Sequence, residues 1–477
     1  MDLKVLFVNT PFKYIRMGST IPSGLLSLGT ILKNQGFDVN LIDISAEKPI
    51  KATAFGGPEN NLKAQLLSPK EFLQRVKAYE PDIIGISSFT ENYPIAMKIA
   101  NICKKENDNI KIIFGGIHAT FQAVDCLNEN PYIDIVIRGE AEHIILDVLK
   151  AIQGIKELKQ VNNVVFRDNG LIKFSQDFSL PDLNQIPPPD LELIKGKYYP
   201  PTVQLEFSRG CPFQCVFCCV SPFSNREVRY FPIKFILNTL MAYQEKFEKF
   251  SFALQDSNFL FHSKKVKNLF QEIKERKIEL DNWLFQSSVT TINREILKYL
   301  RENNASRIFL GIEETHDSVL RCIGKQQTFN QIKKAIRILH ELDFTIHANF
   351  MIGLPSQTRE QMLENIVFSK KIDYGTFPCL VPFPGSAIFY NPKKFGLKIL
   401  SNDWELYTLR EIVMDSETFP INQQEGIREL AWRELAEREL EKDSTFYFQR
   451  NEYERLLEVS FEVWNEEWKK AHKSGWN

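Results

Sequence analysis

Short apolar runs alternate with amphipathic stretches through roughly the first 150 residues. The runs at 4–8, 38–43, 82–88, 110–115 and 134–138 are β-branched or leucine-rich and predict five strands, most of them followed by turn residues. Ser68-Pro69-Lys70-Glu71 reads as an N-cap, a proline at the first helical position and a capping-box glutamate, with Phe72, Val76 and Tyr79 on one face of the helix that follows. Strands alternating with helices predict a doubly wound parallel sheet whose ligand sits beyond the strand C-termini. Next, residues 163–174 place Asn169-Gly170 between two apolar runs, which predicts a hairpin. Prolines 181, 187, 188, 189, 200 and 201 follow and predict a domain-crossing linker.

The alternation resumes at Thr202 with a new period. Strands are predicted at 203–207, 250–254, 283–287, 307–312, 345–352 and 376–381, and helices at 232–247, 264–276, 294–302, 329–342 and 359–371. Six consecutive βα units predict a partial (β/α)6 barrel of the TIM type, with its active groups in the loops after the strands. From about residue 402, Trp404, Trp432, Trp464, Trp468 and Trp476 stand among Glu, Arg and Lys, and helices are predicted at 425–442 and 452–470. The expected class is therefore α/β. A Rossmann-like domain spans 1–160, a hairpin and Pro-rich linker 161–201, the partial barrel 202–390 and a helical C-terminal segment 391–477.

Composition narrows the function. The chain has 477 residues, 43% hydrophobic and 25% charged, the balance of a globular enzyme. Its 59 Lys and Arg against 60 Asp and Glu leave a net charge of -1, so no basic excess argues for nucleic acid. Met1-Asp2-Leu3-Lys4-Val5 lacks the basic and apolar regions of a signal peptide, and the longest uncharged stretch, 374–392, is broken by four prolines. No integral membrane segment and a cytoplasmic location are expected.

The eight cysteines point to chemistry. Four of them, Cys211, Cys215, Cys218 and Cys219, fall within nine residues, and the others are scattered singly. This is the pattern of a metal site in a reducing compartment, not of a disulfide scaffold. The spacing C-x3-C-x2-C lets three thiolates hold three irons of a 4Fe–4S cluster and leaves the fourth iron open to a small molecule. A zinc site would need a fourth ligand, and Cys219, next to Cys218, points to the opposite face of an extended segment. The plain alternative is a zinc knuckle or a set of buried thiols.

Cys211-x3-Cys215-x-Phe217-Cys218, after the first strand of a partial barrel, resembles the radical S-adenosylmethionine (SAM) superfamily. The resemblance implies that Cys211, Cys215 and Cys218 bind the cluster and that SAM chelates the open iron. Reductive cleavage of SAM then gives methionine and a 5′-deoxyadenosyl radical. It also implies that Phe217 packs near the adenine and that Gln255 and Asp256 contact the SAM amino group. The commoner Gly-Gly-Glu is absent at that place. Glu313 resembles the acidic residue near the ribose, and Gly353 the fifth-strand glycine beside the adenine. Each carboxylate alone also reads as a solvated loop residue, and each glycine as a turn former.

The order of pieces in the first domain resembles the cobalamin-binding subgroup, the class B methyltransferase-like family. The pieces are 22–28, 81–87, Gly115-Gly116-Ile117-His118 and Arg138-Gly139-Glu140-Ala141-Glu142. The resemblance implies cobalamin against Ser87, Gly115, Gly116, His118, Gly139 and Glu140. The Asp-x-His-x-x-Gly motif that supplies an axial imidazole in other cobalamin domains is missing. Only His472 has a glycine three residues on, with Lys470 where the Asp would stand. Cobalamin would then bind without a histidine ligand, or the pocket would be vestigial.

The activity implied is methylation of an unactivated carbon in a small-molecule, lipid or natural-product substrate, with electrons from a flavodoxin- or ferredoxin-type donor. The runner-up is radical cyclisation or rearrangement without methyl transfer. A cobalamin- or redox-responsive binding protein is the reading of another class, and a barrel that keeps its cysteines argues against it. No residue is singled out as catalytic beyond the cofactor ligands.

Overall fold

The computed structural model describes residues 3–11, 21–44, 46, 67–175, 177–195, 202–247, 251–280 and 283–441. Five strands, β1 (Lys4–Asn9), β2 (Asp38–Asp43), β3 (Ile83–Ser87), β4 (Lys111–Gly115) and β5 (Ile135–Ile137), run parallel in the order β2-β1-β3-β4-β5. Their residues are buried on both faces, as a sheet covered by helices on either side demands. The capping box at Ser68 forms as the sequence predicts. Ser68 Oγ accepts from Glu71 N at 3.2 Å and Glu71 Oε2 accepts from Ser68 N at 2.9 Å, which fixes the start of the helix Pro69–Tyr79.

The hairpin, β6 (Val164–Asp168) and β7 (Leu171–Phe174), joins this same sheet as its antiparallel edge. Val164, Val165 and Phe166 are buried against the core, so the first unit runs past residue 160 to the end of the hairpin. Asn169 and Gly170 take φ of 52° and 81°, the paired left-handed residues of a tight turn.

The second unit opens with β8 (Thr202–Leu205) and a short antiparallel pair, β9 (Ser208–Arg209) and β10 (Arg229–Tyr230). Then come β11 (Ser251–Leu254), β12 (Trp283–Ser288), β13 (Ala305–Glu313), β14 (Thr345–Phe350) and β15 (Tyr374–Thr376). The six main strands are parallel in the order β15-β14-β13-β12-β11-β8, with helices between them, which is the partial barrel expected.

Two expectations are corrected. The Pro-rich stretch is packed rather than loose. Leu183, Ile186, Leu191, Leu193 and Ile194 are buried in the barrel core, and Asp190 reaches the first domain through Thr30 Oγ1 at 2.8 Å and Lys33 Nζ at 2.5 Å.

The C-terminal segment, expected to be helical, also carries a strand pair in its described part. β16 (Leu397–Ile399) and β17 (Met414–Ser416) pair antiparallel before the helix Ile421–Glu441. That helix shares the barrel core through Ile427, Ala431, Leu435 and Ala436. Arg438 donates to Ser369 O at 3.2 Å and Ile372 O at 2.5 Å, satisfying carbonyls at the end of the helix Arg359–Ser369. Ahead of it, Trp404 sits edge-on to the His118 ring of the first domain, centroids 4.9 Å apart. The helix predicted at 452–470, with Trp464, Trp468, His472 and Trp476, lies outside the described residues. Among those described, no helix is long and apolar enough to cross a membrane.

Candidate active site

The C-terminal ends of the two parallel sheets face each other across a cavity of about 500 Å³. The first domain contributes Ser23 and Gly24, Ser87 to Phe89 after β3, Gly115 and Gly116 after β4, and Gly139, Glu140 and Glu142 after β5. Strand order reverses between β1 and β3, the switch point where an open α/β sheet offers a crevice. The barrel contributes Gln204, Glu206, Ser208, Arg209, Gln255 and Ser257 from the ends of β8, β9 and β11. Apolar side chains such as Phe7, Leu25, Leu28, Ile113 and Ile137 form much of the remaining wall.

Backbone shape makes room for this cavity. Gly116 has φ 101°, and a Cβ there would stand 2.3 Å from Ser88 O, so only glycine closes β4 against β3. At Gly115 a Cβ would meet nothing nearer than Ile137 O at 3.9 Å, which leaves the space above this strand end to a ligand. Ser88 is 2% exposed and its Oγ has no hydrogen-bond partner, a polar group that a bound molecule could satisfy.

Cys211, Cys215 and Cys218 are free, half-buried thiols on the loop after β9. The loop is fastened by Val216 N to Ile323 O at 3.0 Å, by Ile388 N to Val216 O at 3.2 Å and by Ser221 Oγ to Phe213 O at 2.6 Å. Burial raises the pKa of Cys211 and brings Cys215 to about 11, and the neighbouring thiols add to both shifts. The Lys325 ammonium opposes them. Burial lowers its own pKa, but Glu313, 3.2 Å from Nζ, and the neighbouring Cys215 and Cys218 outweigh burial and raise it. Among the described residues no three Cys, His, Asp or Glu side chains converge on one metal-ion position. A buried cation facing three mutually close thiols suits an anionic, thiolate-bound cluster. Burial pushes Cys219 to about 12, the character of an inert thiol.

The structure brings together Ser87, Gly115, Gly116, Gly139, Glu140 and Gln255 at the cavity, while Glu313 reaches the cysteine loop through Lys325. Phe217 packs, half-buried, against the barrel core. Three residues lie elsewhere. His118 does not line the cavity. It is 1% exposed, stacked on Tyr93 at 4.3 Å with Trp404 at its edge, and burial lowers its pKa to about 3, so it stays neutral. Gly353, φ 85°, faces the last helix, where a Cβ would lie 2.6 Å from Gln424 Oε1.

Asp256 is 0% exposed and turned away from the cavity. It accepts from Phe207 N at 3.0 Å, from Ser208 N at 2.5 Å and from Ser208 Oγ, and so holds the backbone that leads into the cysteine loop. Burial raises its carboxyl to about 7 against these hydrogen bonds. The folded chain therefore keeps a proton that the unfolded chain gives up. This group's contribution to stability is complete below about pH 4 and is lost as pH rises through about 7. Asp256→Ala leaves two amides unpaired, at about 1–3 kcal/mol each. Urea unfolding at pH 6 is expected to register that loss, and an unchanged midpoint would remove Asp256 from this role.

Three participants carry no recognisable signal in the chain. Lys325 lies far from the cysteines in sequence and arrives through the turn after the helix Asp317–Cys322. Glu142 closes the 138–142 stretch and Arg209 stands just ahead of the cysteines, and their pairing crosses the domain boundary. Arg209 donates from Nη1 to Glu140 Oε2 and Glu142 Oε1, each at 2.8 Å, and from Nε to Glu206 Oε2 at 2.8 Å. Arg229 contacts the other Glu140 oxygen and donates to Pro181 O at 2.9 Å.

Comparison with known proteins agrees with this division. The B12 binding domain model matches residues 16–149, and the Radical SAM superfamily model matches residues 205–368. An uncharacterized methyltransferase of Pyrococcus horikoshii is 28% identical over 409 residues, 84% of either chain. The solved radical S-adenosylmethionine methyltransferase TsrM from Kitasatospora setae superposes with a TM-score of 0.67 at 14% identity, covering 84% of this chain and 79% of that one. The cobalamin-dependent S-adenosylmethionine radical enzyme OxsB superposes with a TM-score of 0.71 at 16% identity, covering 90% of this chain and 66% of that one. The chain thus carries a B12 binding domain followed by a Radical SAM superfamily domain, the two opening on one cavity beside a three-cysteine loop.

Proposed function

We propose that the protein transfers a methyl group from SAM to an unactivated carbon of a small-molecule or lipid substrate held in the inter-domain cavity. The observation that carries this reading is the shared cavity, with the cysteine loop leaving its wall at Arg209-Gly210-Cys211. Cys211, Cys215 and Cys218 would hold the cluster, and Ser87, Ser88, Gly115, Gly116 and Gly139 the corrinoid. When bound, the cluster supplies the electron that cleaves SAM, and the corrinoid carries the methyl group.

The chain's own residues position and shield. Lys325 offsets negative charge at the thiols, and the exposed Gln255 amide offers hydrogen bonds at the barrel's lip. The apolar wall of the first domain excludes water from the reacting face. Among the described residues no histidine lines the cavity. Methyl transfer is also the activity named for the Pyrococcus horikoshii relative. The electron comes, in this reading, from a flavodoxin- or ferredoxin-type protein.

The test is anaerobic purification from cells supplied with cobalamin, then incubation with SAM and a reductant. About four irons and one corrinoid per chain are expected, with S-adenosylhomocysteine formed beside 5′-deoxyadenosine. SAM that gives up a methyl leaves the first product, and SAM that gives a radical leaves the second. Iron without corrinoid, or 5′-deoxyadenosine alone, overturns methyl transfer.

A further inference from the structure

The ion cluster around Arg209 crosses the domain boundary. Its two arms to Glu140 and Glu142 leave the barrel for the loop after β5, and its third arm, to Glu206, stays within the barrel. Arg229 adds a second crossing to Glu140. Arg209 and both first-domain carboxylates are largely buried, with side chains 15%, 7% and 6% exposed. Glu142 is held below the usual carboxylate range. Burial works against its charge, and Arg209 outweighs burial. Buried ion pairs add little net stability because desolvation offsets attraction, but their geometry is demanding, so they fix one register of the parts they join.

The position of this cluster matters more than its strength. Arg209 stands two residues before Cys211, and Gly210 between them takes φ 96°, a turn open to glycine alone because a Cβ would lie 1.9 Å from Glu227 O. On the other side of Arg209, Asp256 holds Ser208 by backbone and hydroxyl. The start of the cysteine loop therefore has no slack, and the pull of Glu140 and Glu142 on Arg209 passes directly into it. Glu140 and Glu142 also follow Gly139, which lines the cavity.

We infer that Arg209 is a positioning residue. Its Nη1 bridge to Glu140 and Glu142 sets the spacing of the cysteine-bound cluster from the corrinoid face of the cavity. This rests on the two-cofactor reading above. A lysine at 209 keeps the charge, but its flexible stem and single ammonium lack the guanidinium plane that ties the Glu140 and Glu142 contacts to the Glu206 arm, so it holds the two carboxylates in a looser geometry.

Protein loaded with both cofactors and reduced to Co(II) and a paramagnetic cluster allows the distance between the two spins to be read by pulsed EPR, with no substrate present. Wild type is expected to give one narrow distribution. Arg209→Lys and Glu142→Gln are each expected to shift it or to widen it at least twofold. Glu206→Gln, which removes only the arm inside the barrel, is expected to leave the width unchanged. A narrow, unshifted distribution in both boundary variants overturns the inference, and so does equal broadening in Glu206→Gln, which would mean general loosening. Loss of iron from Glu142→Gln, a change in the other domain, would assign the pairs to loop assembly and overturn it too. Absence of cluster–cobalt coupling in the wild type fails the two-cofactor reading itself, a result distinct from all of these.

Discussion

Protein carrying Ala at 211, 215 and 218 is expected to contain no iron, against about four atoms per wild-type chain, and to cleave no SAM, yet to keep its corrinoid. The thiols are the cluster's only protein ligands in this reading, so their loss removes the site outright. In the same reading the corrinoid lies against the cavity wall built by β3, β4 and β5, which includes no cysteine side chain. The loop keeps its anchors in the variant, because Val216 N to Ile323 O and Ser221 Oγ to Phe213 O involve no thiol. Iron and corrinoid counts on one sample check the result. Residual iron at half the wild-type level or more would move the cluster elsewhere, and joint loss of both cofactors would make the two sites one folding unit.

The opposite dissociation is expected from Gly115→Leu. A Cβ there makes only ordinary contact with Ile137 O, so the strand can accept it, but the four added carbons stand where the ligand would lie. Corrinoid retained after desalting is expected to fall at least about tenfold, since displaced contact of that size costs more than about 1.4 kcal/mol. Iron should stay at the wild-type level. Corrinoid absorbance against protein concentration measures the outcome, and full retention would place the corrinoid away from β4. The two substitutions together separate the cofactors without any knowledge of the substrate.

Local rules made much of the fold legible. The alternation of apolar runs located the five parallel strands and the six barrel strands, and the Ser68–Glu71 box and the Asn169-Gly170 turn formed as their chemistry requires. The cysteine loop was legible because its spacing is itself the signal. What escaped depends on direction or on docking. Gln255 and Asp256 are neighbours, and one faces the cavity while the other faces the backbone before the cysteines. Their order in the chain says nothing of which does which. His118 follows the Gly-Gly turn, but the short helix Ile117–Phe121 carries its ring into the domain, between Tyr93 and Trp404. Arg209 meets Glu140 and Glu142 only because two sheets pack end to end, and no pattern within either domain encodes that. The Pro-rich stretch misled for a related reason, since its Leu and Ile residues, rather than its prolines, decide that it packs.

The contact of Trp404 with His118 has a consequence for how the molecule is made. One face of the first domain is covered by a side chain from near the far end of the chain, and Gly385 likewise lies against the Phe121 ring. A ribosome must therefore finish almost the whole barrel before the first domain is complete. Until then Tyr93 and His118 present a bare aromatic face, a surface that invites chaperones or self-association. Contacts between such distant parts of the chain also slow folding. Expression of the first domain alone is thus a poor route to studying its ligand, whatever its apparent independence in sequence.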